Sequence, residues 1–565
     1  MGSICRYAFL SAWPRSLSPR NLFQIILDSI ERIYFRIRDF SLPLEIHRFP
    51  IYFKSLTKIQ MKLSGIYELT KFRTKNFWFG IHLTVGFLCL IVFILYKLPA
   101  GFWLDETLTA WIICEDFQTA FNRALHFQAW SPLYYLLIHG WARIFGMTEI
   151  ALRLFSICAF VFGCLFLYKT YRRYFCRELS IFGTILSGVF LLLYVPVLYA
   201  RPYGLIALFL ISSFYFFVIW LDTGQRGAQI LHIICSVCTI YTHWLFGTIL
   251  IVQTLLVFCI KISPQMHYRR KWIYNLFIIG ILTSPNAYRL ALIFPKRFTY
   301  SYLTSPSIFN WAIITFPPGA ILLSLWALWI VYRRKRLNHI GRFFSSISIG
   351  AVWIIVPPTI LFLFSLFSGV SVLSPRYAGA SYTGFGLIII SLFACLGKSF
   401  HRSFTMLYTS FLAIFMLLAL PNISESWREP TAFLLKQQIK NHRPILLATG
   451  LIEATSREWI LDSSKRDYLC APIQYYLPTE NPVPLPWAND LCLLKEVLDK
   501  SNMMNTLRLR GFFFVNRDIK IIDGDVLILS REVYKRYFLD HGFSVTVEKI
   551  FPSISVLEFV PNIEP

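Results

Sequence analysis

Between residues 77 and 420 the apolar positions gather into blocks of about 20, each closed by Arg, Lys or Pro. A helix of that length crosses the roughly 30 Å hydrocarbon core of a bilayer. Eleven blocks read as spans, at about 77–96, 151–168, 179–198, 203–221, 228–243, 245–260, 272–294, 311–332, 343–372, 378–396 and 404–420. The segment 131–146, SPLYYLLIHGWARIFG, is also apolar, and the charges around it decide how it is read.

With eleven spans and the N-terminus inside, 16 of the 25 Lys and Arg residues between 76 and 420 fall in cytoplasmic loops, as the positive-inside rule requires. A twelfth span at 131–146 would turn all sixteen outward while the basic first 75 residues stayed inside. The segment is therefore expected to lie along the outer surface as a helix, with His139, Trp141 and Arg143 at the interface.

Residues 1–75 contain no apolar stretch of signal-peptide character. Segment 21–38, NLFQIILDSIERIYFRIR, reads as a basic amphipathic helix on the inner leaflet, and a start of translation at Met61 is an equal alternative. Beyond Pro421 the pattern changes to short β-rich runs (PILLATG, GFFFVN, DVLILS, SVTVEKIF) alternating with helical segments near 431–441, 490–500 and 531–541. That alternation predicts a small α/β domain over 421–565. An odd number of spans puts it on the extracytoplasmic side, together with the loop 97–150. The expected organisation is thus a basic cytoplasmic segment (1–75), a polytopic α-helical membrane domain of about 11 transmembrane helices (76–420) and an extracytoplasmic α/β C-terminal domain.

Composition agrees: 56% of residues are hydrophobic and 15% charged, against about 25% charged in soluble domains. The net charge of +25 does not point to nucleic acid. Residues 1–75 hold 13 basic and 5 acidic residues, 76–420 hold 25 and 7, and 421–565 hold 17 and 18, so most of the excess lies in loops between spans. The 12 cysteines form no disulfide framework, since most sit in apolar blocks. Cys235 and Cys238 match C-x-x-C but read as small lipid-buried hydrophobes. A Cys470–Cys492 bridge stays open.

The acids locate the chemistry. Five of the seven acidic residues between 76 and 420 (Asp105, Glu106, Glu115, Asp116, Glu149) occupy the loop 97–150, and none lies inside a span. Ion-coupled transporters usually keep an intramembrane acid, so chemistry is expected at the outer surface instead. Asp105 and Glu106 follow GFW and precede a helix-like TLTAW, where carboxylates either cap a helix or serve as a general base at the lipid boundary. Arg201, His243, Lys296, Arg297 and Arg376 end spans on the same side and form a cationic rim suited to a phosphate leaving group. Pro202 and Pro375 stiffen the turns beside two of these arginines. DGD at 523–525 reads as a turn between strands, and no Gly-rich phosphate loop is present.

Taken in order, GFWLDETLTAW, the run from His126 through PLYYLLIHGWARIFG to EIALRLFS, then YARPYGL, YTHW and SPRYAG resemble the lipid-linked-sugar glycosyltransferases of the C-type fold. Those include protein O-mannosyltransferase-like and aminoarabinose-transferase-like enzymes of glycosyltransferase family 39 and its relatives. The resemblance covers roughly residues 76–550. It implies a cell-membrane enzyme that takes a sugar from a polyprenyl-phosphate carrier on the outer face and transfers it, with inversion, to a protein, glycan or lipid acceptor. It also implies that Asp105 is the catalytic acid position, Glu106 its acceptor-binding neighbour, and Arg201, Tyr203, His243, Arg376 and His126 the donor-phosphate and substrate-binding residues. Thr107 stands where oligosaccharyltransferases carry the second Asp of a D-x-D metal pattern, so no cofactor is expected and metal dependence is doubtful. Two rival readings remain: an oligosaccharide ligase or polymerase on the same fold, and a transporter of the lipid-linked sugar.

Overall fold

The computed structural model describes residues 91–562, preceded by positions 81, 84 and 88, and excepting 128–131, 260–265, 296, 298–305, 335–339, 342, 397–424, 489, 501–502 and 524–525. The expected amphipathic helix at 21–38 and the expected span at 404–420 lie outside the described residues.

Among the described residues, five helices are long and apolar enough to cross a membrane: Glu149–Arg172, Arg177–Tyr194, Tyr203–Thr223, Phe344–Ser368 and the pair of turns and helix over Pro375–Ala394. A sixth forms if Ile308–Thr315 and Pro318–Arg333, bent by 55° at Pro317, make one span. That bend has a local cause, because proline lacks the N–H that would continue the helix ladder. The apolar helix Trp244–Phe258 falls short of the length. The chain is a helical membrane protein.

Tight approach of the first and third of these helices depends on glycine. A Cβ on Gly204 would collide with the carbonyl of Ser156, and with that position open Ser156 donates from its hydroxyl to the carbonyl of Arg201 at 3.1 Å. The start of helix Tyr203–Thr223 is thereby fixed against Glu149–Arg172.

Segment 131–146 contains the helix Pro132–Phe145 of 14 residues, about 21 Å long at 1.5 Å per residue and too short to cross a bilayer. Its polar groups do not all sit where an interfacial helix would put them. His139 is buried, its Nδ1 3.2 Å from the carbonyl of Ile113, and Trp141 donates to the carbonyl of Ala151 at 2.8 Å. Arg143 reaches the carbonyl of Glu115. These side chains tie the helix to its neighbours.

Past residue 424 the chain forms a five-stranded sheet in the order β2 (Val483–Pro484), β1 (Ile445–Ala448), β3 (Phe512–Arg517), β7 (Ile554–Pro561), β6 (Phe543–Ile550). β2, β1 and β3 run parallel, and β3, β7 and β6 antiparallel. Every residue of β1 is buried, as are Phe512 to Asn516 of β3, which is why these strands read as continuous apolar runs. β4 (Lys520–Asp523) and β5 (Val526–Leu529) pair antiparallel as a separate two-stranded sheet with Asp523 opposite Val526; Gly524 and Asp525 of the DGD expected to turn lie outside the described residues. Cys470 is buried and donates to the carbonyl of Pro482, while Cys492 is exposed; both thiols are free, and no bridge joins them.

Several contacts clamp this α/β segment to the membrane part. The Trp427 N–H donates to the Phe102 carbonyl at 3.0 Å, and the Leu104 N–H to Glu425 Oε1 at 3.0 Å. Arg428 pairs with Glu149 at 2.7 Å. Tyr476 accepts from the Phe102 N–H at 2.8 Å and donates to Glu149 Oε1 at 3.0 Å. Gly101 permits the approach, since a Cβ there would run into Ser426 and Arg428.

Candidate active site

GFWLDETLTAW turns into a helix at Leu104–Ile113, with Trp103 in extended conformation at its N-cap. Asp105 and Glu106 fall in the first turn, where the helix dipole favours negative charge. Successive residues on a helix point in different directions, so the two neighbours meet different surroundings.

Glu106 points inward and is fully buried. Arg153 grips it with both arms, Nε to Oε1 at 2.8 Å and Nη2 to Oε2 at 2.5 Å. Glu106 also accepts from the Ala200 N–H at 2.8 Å and the Trp103 N–H at 3.4 Å. The remaining Arg153 donors go to the carbonyls of Lys97, Leu98, Ala100 and Gly101. One buried ion pair therefore holds the entry loop 97–101, the start of helix Leu104–Ile113 and the backbone just before Arg201. A substrate-facing carboxylate would be open on one side; this one is occupied on both oxygens.

Asp105 points the other way and keeps 21% of its side chain exposed. Its Oδ2 lies 3.8 Å from Arg201 Nη2 and 3.8 Å from Arg376 Nη1. Those separations give strong attraction but exceed hydrogen-bond length. Arg201 donates instead to the Asp105 backbone carbonyl, at 3.1 Å. The two guanidiniums come from YARPY and SPRY, 175 residues apart. Pro375 opens the short helical turn that carries Arg376, a position where proline's fixed φ fits.

Around this triad stand aromatic and polar side chains. Tyr203 and Tyr135 are buried and within electrostatic reach of Asp105 and Arg201. Tyr377 places its ring 5.1 Å from His243 and 5.0 Å from the Arg376 guanidinium. His243 Nδ1 is buried without a hydrogen-bond partner. Of the residues singled out from sequence, Asp105, Arg201, Tyr203, His243 and Arg376 come together. His126 lies exposed in the last turn of helix Phe117–Phe127, and the cluster just described is built without it. No three His, Cys, Asp or Glu side chains among the described residues converge as metal ligands.

Sequence reasoning missed Glu453. It sits in the turn Ile452–Thr455 of the α/β segment, 8% exposed, with Oε2 unpartnered. Helix Ser463–Tyr476 packs beside it on the site helix, the Tyr468 ring 5.6 Å from Trp111. Burial, reinforced by the charge of Asp105, pushes the Glu453 carboxyl up to about 7. An unfolded chain ionises this group from about pH 4.5, whereas the folded protein holds the proton until about pH 7. Each pH unit between the two costs the folded state about 1.4 kcal/mol. The stability contribution is thus complete below the lower value and lost as pH rises through the upper one. Glu453→Gln is expected to flatten the stability–pH curve over that window and to gain stability over the parent at pH 8, read by thermal unfolding in detergent. Parallel curves for variant and parent would remove Glu453 from the electrostatics of the site.

No protein-family model matches the chain, and neither does any curated protein. Solved structures do. ArnT from Cupriavidus metallidurans in the apo state aligns over 85% of this chain and 98% of that chain at 13% identity, with a TM-score of 0.50. The same protein bound to undecaprenyl phosphate aligns over the same shares at 12% identity and a TM-score of 0.48. An Archaeoglobus fulgidus oligosaccharyltransferase in the apo form covers 77% of this chain and 69% of its own at 10% identity, with a TM-score of 0.39. At such identities the likeness is one of fold, and it rests on the apo ArnT alignment: the chain has a C-type glycosyltransferase-like fold.

Proposed function

We propose that the protein is a membrane glycosyltransferase that moves a sugar from a polyprenyl-phosphate carrier to an acceptor on the outer face of the membrane, with inversion. The observation that carries this reading is the single carboxylate oxygen of Asp105 held 3.8 Å from both Arg201 and Arg376. A base and two phosphate-type cations within one small site match the two ends of such a transfer. The acceptor's O–H or N–H gives its proton to Asp105 as its oxygen or nitrogen bonds to the anomeric carbon. The bond from that carbon to the phosphate oxygen breaks, and the electron pair leaves with the phosphate. Arg201 and Arg376 stabilise the charge that develops there. Glu106 supports the chemistry by positioning Asp105 and Arg201, through Arg153 and the Ala200 N–H.

A labelled polyprenyl-phosphate sugar supplied to the purified protein in vesicles tests the reading. Covalent transfer of label to an acceptor is expected; relocation of intact lipid-linked sugar without transfer would identify a transporter and overturn it. Within that assay, Arg201→Lys and Arg376→Lys keep the charge but lose the planar fork. The loss of one charge-assisted hydrogen bond, worth about 1.5–3 kcal/mol, is expected to slow transfer roughly ten- to a hundredfold. Parent-like kinetics in both Lys variants would reassign these residues to interfacial anchoring.

A further inference from the structure

Deep in the helix bundle, four helices bring polar side chains together: Tyr203–Thr223, Arg226–Thr242, Thr248–Cys259 and Met266–Ile293. Ser213, His232, Ser236, Gln253 and Asn275 are each 0% exposed. Ser213 stands ten residues after Tyr203, in the middle of a helix long and apolar enough to cross a membrane, and about 15 Å along its axis. Polar groups at that depth meet neither bulk water nor headgroups, so each must find its partner inside the protein.

The Ser213 hydroxyl is the hub. It accepts from Gln253 Nε2 at 3.2 Å and lies 2.8 Å from Ser236 Oγ and 3.3 Å from His232 Nδ1. The Ser236 proton goes to the His232 carbonyl at 2.8 Å, so Ser213 gives its own to Ser236. His232 Nδ1 also lies 3.2 Å from the Ser213 carbonyl. A carbonyl can only accept, and the ring therefore carries its proton on Nδ1 and a lone pair on Nε2. One turn before His232, Gln229 donates from Nε2 to Asn275 Oδ1 at 2.6 Å. Trp272, one turn before Asn275, sets its ring 5.5 Å from the imidazole.

Three buried atoms of this cluster have no hydrogen-bond partner: His232 Nε2, Gln253 Oε1 and Asn275 Nδ2. Turning either amide over would only exchange which of its ends is unpaired. Together they call for two donated protons and one accepted. They call for no charge, since among the described residues no charged side chain bonds to these three side chains, and an ion in so apolar an interior is heavily penalised. We propose that the cluster seats water, which donates to His232 Nε2 and Gln253 Oε1 and accepts from Asn275 Nδ2. Water is the smallest neutral molecule with that set of donors and acceptors, and two to four polar partners are what hold it in an interior. It joins the second, third and fourth helices directly and the first through Ser213. The first begins at Tyr203 and the second ends beside His243, so the water ties together two elements that reach the candidate site while taking no part in the transfer itself.

A high-resolution cryo-electron microscopy map of the full-length protein in nanodiscs tests this. Ordered water is expected within hydrogen-bond distance, about 2.7–3.2 Å, of all three atoms. Thermal unfolding in detergent gives a second reading, from Gln253→Leu, Asn275→Leu and the double variant. These two side chains make no hydrogen bond to each other, and a shared water couples them. The Tm loss of the double variant should therefore fall short of the sum of the single losses by about 2 °C or more. Additive losses, a map without water at the three atoms, direct bonds among them, or density for a molecule larger than water would each overturn the proposal.

Discussion

Asp105→Asn is expected to cut sugar transfer by about 10²- to 10⁴-fold, the usual worth of a positioned general base, while the protein inserts and folds as before. The reason lies in what the side chain touches. Asp105 occupies the first turn of helix Leu104–Ile113 but is not its N-cap, and its carboxylate stands beyond hydrogen-bond length from both guanidiniums. Asn therefore costs little structure. It does remove the lone anion between Arg201 and Arg376, so the cations bind an incoming phosphate at least as well as before. The expected signature is a collapse of kcat with donor KM unchanged or lowered, measured with the labelled carrier. Near-parental kcat in a normally inserted Asp105→Asn protein would eliminate the base and leave Asp105 as a helix-terminus charge.

The second large effect belongs to the neighbouring carboxylate. Glu106 and Arg153, with side chains 0% and 3% exposed, form a pair whose rupture strands a buried charge. Arg153→Met should lower stability by about 3–5 kcal/mol, since it also orphans the carbonyls of Lys97, Leu98, Ala100 and Gly101. Thermal unfolding in detergent reads this directly. Combining it with Glu106→Met removes both charges, and part of the loss should return. Transfer is expected to fall with folding, because the same pair places Arg201 beside Asp105. A stable but inactive Glu106→Gln protein would instead show a carboxylate that meets the acceptor, as the resemblance to C-type glycosyltransferases implies.

The contrast between these adjacent acids shows where the reading of the sequence stopped. DE at 105–106 stood out as the candidate centre of the loop because acids are scarce between 76 and 420. Which of the two faces substrate depends on the rotation of one helix and on Arg153, 47 residues away. EIALRLFS marked that arginine only as part of a motif. Glu453 was illegible for a related reason. In LIEATS it resembles any surface glutamate, and its significance comes from a turn of the α/β segment packed near Asp105, nearly 350 residues earlier. The clamp at Trp427 and Glu425 brings that segment there.

Properties that follow from neighbouring residues could be read from the sequence alone. Apolar runs of about 20 residues become helices because a span must satisfy its own backbone and face lipid. The short, largely buried strands β1 and β3 stand where ILLA and FFFVN occur. The charge balance also kept 131–146 from being read as a span, and its helix is 14 residues long. The tertiary structure alone decided what depends on distance: the inward turn of His139 and Trp141, the two arginines sharing one carboxylate oxygen, the burial of Glu106 and the approach of Glu453. Those outcomes turn on packing between elements far apart in the chain, and a side chain's charge, partners and exposure are set by that packing rather than by its neighbours in sequence.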